Sequence, residues 1–126
     1  MYDHIGLKVR DLAASLKFYR AALKPLGHVV GSSDDSGAGL GPKDAPALWL
    51  YPDADARGGA HVAFRAASRA AVDGFHRDGV KAGGRDNGGA GLREDYGAGY
   101  YAAFLLDPDG HNVEAVCTKS DRGSEV

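Results

Sequence analysis

The chain opens on an alternation. Across residues 2–9, Ile5, Leu7 and Val9 fall on one side of an extended backbone and His4, Gly6 and Lys8 on the other, the period of a strand with one buried face. Asp11 follows, a short carboxylate suited to accept hydrogen bonds from the free N–H groups of a helix start. Leu12, Leu16, Tyr19 and Leu23 then recur at helical spacing, and Pro25 and Gly27 close the segment. Short strands are expected over about 27–32, 37–41 and 46–51, parted by the turn-rich segments 32–36 and 41–44. The pattern then restarts. Residues 60–65 read as a strand, Ser68 as a helix cap, and Val72 and Phe75 as the buried side of a second helix ending near Gly79. Strands over 100–106 and 111–117 flank Asp107-Pro108-Asp109-Gly110, a strong turn signal with Pro second and Gly fourth.

The restart has a fixed spacing. His4 and His61 stand 57 residues apart, and the same offset carries Phe18 onto Phe75 and Asp11 onto Ser68. Each half therefore reads strand, helix, then three strands, an internal duplication visible in pattern more than in identity. Neither half buries a sheet face alone, so the halves are expected to share one core. The prediction is a single α+β domain over residues 1–120, with one module over about 1–56, a second over about 57–118, and a frayed polar tail over 119–126.

Composition narrows the classes. Glycine, at 19 of 126 residues, is roughly twice its usual share, which argues against a helical bundle. Many of these glycines crowd into residues 82–99, a segment expected to be an irregular loop and a lid over the site. A net charge of −2 lacks the basic excess of a general nucleic-acid binder. No apolar run approaches the ~18 residues of a membrane helix, and Met1–His4 does not start like a signal peptide. With one cysteine, Cys117, the expectation is a cytoplasmic protein that binds neither nucleic acid nor membrane.

The candidate chemistry lies on strand faces opposite the apolar ones. His4 and His61 begin equivalent strands, and Glu114 shares its parity with Asn112 and Val116. Two imidazoles and a carboxylate suit a divalent metal bound on one side, with positions open for a ligand; solvated strand-end residues are the plainer reading of the same spacing. In the first half an aromatic ring, Trp49, occupies the strand that corresponds to that of Glu114. Tyr96, Tyr100 and Tyr101 are candidates for pocket walls or a proton-donating phenol, and alternation admits only one of Tyr100 and Tyr101. Arg93 is placed either to hold an anionic substrate or to pair with Glu94 and Asp95. Cys117 is expected to face the helices, Lys8 the rim, and His111 the solvent.

Three stretches resemble the vicinal oxygen chelate superfamily, which includes glyoxalase I, extradiol dioxygenases and the bleomycin-resistance proteins. They are Asp3-His4-Ile5-Gly6-Leu7-Lys8-Val9 with Asp11-Leu12 and Phe18-Tyr19; His61-Val62-Ala63-Phe64; and Tyr101–Phe104 with Asp107-Pro108-Asp109-Gly110-His111-Asn112-Val113-Glu114. The resemblance implies two paired βαβββ modules curled into a cup of mixed sheet with the helices outside. It implies a divalent metal (Zn, Fe, Mn or Ni) on His4, His61 and Glu114, with Glu114 also catalytic, and a homodimer acting on a small molecule. The pocket is then expected to involve Trp49, Tyr51, Arg93, Tyr96, Tyr101 and Asn112. Trp49 departs from the glyoxalase I pattern, which carries a carboxylate there. The expected activity is that of a glyoxalase-like lyase or isomerase. The alternatives are an extradiol-type Fe(II) dioxygenase and a non-catalytic small-molecule-binding protein of the antibiotic-resistance kind.

Overall fold

A computed structural model describes residues 1–119. The first module runs β1 (Ile5–Val9), α1 (Leu12–Leu23), a single 3-10 turn, β2 (Val29–Asp34), β3 (Gly37–Gly41) and β4 (Leu48–Pro52). The second runs β5 (His61–Arg65), α2 (Arg69–Lys81), β6 (Arg85–Asp86), β7 (Gly91–Leu92), another 3-10 turn, β8 (Tyr101–Leu106) and β9 (Asn112–Cys117). Both helices start where short polar side chains cap them: Asp11 accepts from the Ala14 N–H at 3.1 Å and Ser68 from the Ala71 N–H at 3.1 Å. Of the tail expected over 119–126, only Lys119 falls within the described residues.

The sheets repeat one plan. The first has the order β1-β4-β3-β2 and the second β5-β9-β8-β6, with β7 also on β8. In each, the first and last strands run parallel and the others antiparallel. β6 and β7 act together as one interrupted edge strand, so the plan of both modules is βαβββ. The architecture is α+β, two mixed sheets with the helices on one side. The sheets stay separate, each with its own ladder, and do not close on one another.

The two helices pack against each other; α1 also covers β3 and β4, and α2 covers β8 and β9. Val9, Phe18, Leu40, Leu50, Val72, Phe75, Leu105 and Val113 fill the space between, all fully buried. Cys117 joins this core, as its strand parity requires. Helix α2 runs past Gly79 to Lys81 rather than ending near it. The reason is steric. A Cβ at Gly79 would come within 2.4 Å of the Leu105 side chain, so this glycine serves close helix-to-sheet approach, not termination.

The link between modules is polar. Asp107 and Asp109, both buried, lie in the turn between β8 and β9. Asp107 takes the Tyr19 hydroxyl of α1 on one oxygen, and the Asp109 and His111 N–H groups, each at 2.9 Å, on the other. Asp109 accepts from the Arg10 N–H at 2.9 Å and from the Ser15 hydroxyl at 3.3 Å, both in the first module. Gly110, at φ 89°, closes the turn in a conformation that side chains resist. His111 is buried rather than solvated, because its Nδ1 accepts the Ala60 N–H at 3.1 Å.

Removing Asp107 strands three donors in a dry interface. Asp107→Ala is expected to cost about 3 kcal/mol or more, read as a lowered urea midpoint. Asp35→Ala, on the exposed β2–β3 hairpin, is expected to leave that midpoint unchanged.

Candidate functional site

Each sheet leaves one face bare of helix. In the second module this face carries His61, Glu114 and Phe104. Alternation puts Val113, Ala115 and Cys117 into the core and leaves Asn112 and Glu114 on the other side. Glu114 stands beside Ala63 on β5 and opposite Phe104 on β8.

Glu114 is the centre of this face. Its side chain is 3% exposed, yet both oxygens are engaged by residues at the surface. Oε1 lies 2.7 Å from His61 Nε2, and Oε2 accepts the Tyr100 hydroxyl at 2.6 Å. That bond, with burial and the carboxylate charge behind it, pushes the Tyr100 phenol up to about 12. The ring stays protonated and donating through the neutral range. Tyr96 packs edge-on against Tyr100, ring centres 5.4 Å apart. Phe104 lies 6.5 Å from the His61 ring, and the Arg93 guanidinium sits over it at 5.5 Å. Asn112 accepts from Asn87 at 3.2 Å.

Segment 82–99 is therefore a wall, not a free lid. The Asn87 N–H donates to the Phe104 carbonyl at 3.0 Å, the Phe104 N–H to the Gly88 carbonyl at 2.8 Å, and β6 and β7 pair with β8 on either side. Arg93 and Tyr96 reach the site from this wall, and Tyr100 from the residue between it and β8.

Other expected residues go elsewhere. Tyr101 faces the helices: its hydroxyl donates to Asp73 of α2 at 2.6 Å and Arg69 lies over its ring. The tyrosine bonded to Glu114 is Tyr100, one residue earlier and of opposite parity. Alternation had reduced the choice to these two; the position of Glu114 relative to β8 decides it. Trp49 and Tyr51 lie on the bare face of the first sheet. The Trp49 ring rests on Gly39, where a Cβ would come within 2.8 Å of it, and Tyr51 covers Gly6 and Gly37. Register makes the correspondence explicit: Gly6 pairs with Trp49 as Ala63 pairs with Glu114, and the 57-residue offset carries Gly6 onto Ala63.

His4 is separate from His61 and Glu114. It precedes β1, is exposed, and has Nδ1 2.6 Å from Asp3. The opposite end of β1 is the one near the second site, where the Lys8 carbonyl lies 3.5 Å from His111 Nε2 and His61 pairs with Asn112. At ~3.3 Å per residue, His4 and Lys8 are roughly 13 Å apart along the strand.

The sequence and the fold have known counterparts. Residues 2–115 match the family model described as Glyoxalase/Bleomycin resistance protein/Dioxygenase superfamily. The chain belongs to this superfamily. A glyoxalase/bleomycin resistance protein from Albidiferax ferrireducens T118 has the same fold, with a TM-score of 0.83 and 30% identity over 93% of this chain and 98% of that one. A glyoxalase-related enzyme from Fulvimarina pelagi superposes with a TM-score of 0.70 at 22% identity, over 90% and 84% of the two chains. A glyoxalase/bleomycin resistance protein/dioxygenase family enzyme from Burkholderia phytofirmans PsJN gives 0.71 at 17%, over 93% and 98%. These last two likenesses concern the fold alone. No curated protein matches the sequence.

The glyoxalase fold raises the matter of a metal. Two donors bound to one ion at neighbouring corners, each ~2.1 Å from it, stand about 3 Å apart. At 2.7 Å, His61 Nε2 and Glu114 Oε1 stand closer than that, at hydrogen-bond distance, and would have to part to admit an ion. One chain goes no further: among the described residues, no three of His, Cys, Asp and Glu gather to hold an ion. No helix of the described residues is long and apolar enough to cross a membrane.

The Tyr100–Glu114 bond has an alkaline signature. A phenol raised to about 12 in the folded chain, against about 10 unfolded, contributes stability that is complete below the unfolded value. That contribution is lost as pH rises towards 12. In tyrosinate absorbance titrations, the difference between the native chain and Tyr100→Phe is expected to show a transition near 12. Glu114→Gln should move it towards 10; an unmoved midpoint would assign the shift to another group.

Proposed function

We propose that this chain is a small-molecule enzyme of the glyoxalase-like kind, a lyase or isomerase in which Glu114 handles the proton. The carrying observation is the buried Glu114 carboxylate, held between His61 and Tyr100 under an open sheet face. Tyr100 fixes one oxygen of Glu114 by donating to it. The other oxygen, which lies beside His61, is the acceptor for a substrate proton. Phe104 and the wall carrying Arg93 and Tyr96 exclude water from one side.

His61 and Glu114 supply two donors for a divalent ion, and we assign the third to His4 of a second copy in a homodimer. Asp3 engages His4 Nδ1 and leaves Nε2 outside that bond, the arrangement by which an outer carboxylate orients a ligating imidazole. A bound ion would supply Lewis-acid polarisation of a substrate oxygen at these residues. A two-fold dimer that lays the bare face of one first module against the second module of its partner puts Trp49 across from Glu114 and makes two equivalent sites.

Trp49 and Tyr51, stacked flat over glycines, favour a second reading: a non-catalytic protein that holds a planar small molecule against this aromatic shelf.

Complementation separates these. His4→Ala and His61→Ala are each expected to form dimers that lose tightly held Zn, Fe, Mn or Ni on dialysis. Mixed after dissociation and reassembly, they should recover roughly a quarter of the native metal content, because half of the dimers then hold one intact site. A monomeric protein, or no recovery in the mixture, removes the shared site. A metal-free native dimer whose Trp49 fluorescence is quenched by planar ligands establishes the second reading.

A further inference from the structure

We propose that the wall after α2 builds a carboxylate-binding subsite around Arg93, so that the small molecule handled at Glu114 carries an anionic group. This inference deepens the reading of Glu114 as the working carboxylate and rests on it.

Arg93 is seated by the loop rather than draped over it. Its guanidinium lies over Phe104 at 5.5 Å, and Nη2 donates to the Gly89 carbonyl at 2.6 Å. The backbone leaves room for it. A Cβ at Gly91 would come within 3.1 Å of Nη1, and one at Gly88 within 3.3 Å of Nη2 and 3.2 Å of Phe104. Gly88 also holds φ 139°, which side chains rarely adopt. The glycines of this stretch thus let a cation lie flat between loop and sheet.

The seated cation borders a hollow of about 300 Å³ lined by Asn87, Gly88, Arg93, Tyr96, Phe104 and Asn112. No carboxylate is among these residues. Glu94 and Asp95 follow Arg93 directly, but they form an exposed 3-10 turn and do not line the hollow. The Asn112 Oδ1 is used by Asn87, which leaves the Asn112 amide donors outside that bond. A permanent planar cation beside amide and phenol groups is a recognition set for a carboxylate.

Location ties the hollow to the chemistry. Phe104 stands directly opposite Glu114 in the β8–β9 ladder, about 5 Å away across the strands, and Asn112 is two residues before Glu114 on the same face. An anion on Arg93 is kept off Glu114 by like charge. The carbon beside the anion is then the part of the molecule that meets the Glu114 oxygen.

Benzoate and pyruvate, each against its amide, test the subsite on the full chain by NMR titration at fixed ionic strength. Each acid is expected to bind at least tenfold tighter than its amide. Arg93→Gln should erase that preference, Arg93→Lys keep part of it, and Glu114→Gln leave acid binding equal or tighter. Equal binding of acid and amide, no binding of either acid, or an Arg93→Gln protein that holds benzoate as the native one does would overturn the proposal. If Arg93→Gln does not fold, an Arg93→Lys protein with undiminished preference overturns it. Acid binding through Arg93 in a metal-free native dimer whose Trp49 fluorescence is quenched by planar ligands retains the subsite and discards the enzymatic reading.

Discussion

Two buried carboxylates on one turn hold the molecule together. The halves have separate sheets, and the helices pack by apolar contact that alone leaves their relative orientation loosely specified. Asp107 and Asp109 add direction: the Tyr19 hydroxyl, the Arg10 N–H and the Ser15 hydroxyl all come from the first half to acids of the second. Charged acceptors in a dry interface are costly unless every lone pair is used, so this arrangement tolerates little displacement. It also fixes the start of β9, and with it the strand that carries Glu114. Burial and Asp107 hold the Tyr19 phenol far above its ordinary value, so it remains a donor throughout.

From that anchor the site follows. Strand β9 presents Glu114 three residues after His111, itself held by Ala60 at the start of β5. β8 carries Phe104 opposite Glu114, and the loop bonded to the Phe104 backbone brings in Tyr96, Tyr100 and Arg93. The cost of a buried carboxylate at Glu114 is met locally by two surface-reaching partners rather than by the core. The group is therefore dry yet connected to the outside through His61 and Tyr100.

Much of this was legible in the chain. Strand β3 and both caps fall where turn signals and short polar residues put them, and the 57-residue offset survives between Gly6 and Ala63, whose register partners are Trp49 and Glu114. The duplication announced itself because each half must solve the same burial problem. What escaped has physical reasons. Gly79 looked like a stop because its role is contact with Leu105, a partner far away in sequence. His111 looked solvated because its partner, Ala60, is a backbone group with no sequence signature. The 82–99 stretch looked irregular because glycine conceals pairing; its two short ladders depend on β8, not on local propensity. The choice between Tyr100 and Tyr101 turned on where β8 begins, and strand ends are set by neighbours. The convergence of His61 with Glu114 agrees with strand parity, whereas the separation of His4 reflects how the two sheets sit side by side, which no periodicity encodes.

The pairing of Trp49 with Glu114 across the repeat has one more implication. A perfect repeat would offer identical groups to either end of a bound molecule, which could then lie in two opposite senses with equal energy. An indole on a glycine floor in one half and a hydrogen-bonded acid in the other abolish that equivalence. The scaffold remains twofold while its lining acquires polarity. The two bare faces thereby share one backbone plan and differ in chemistry, an apolar plane on one and a hydrogen-bonded acid on the other.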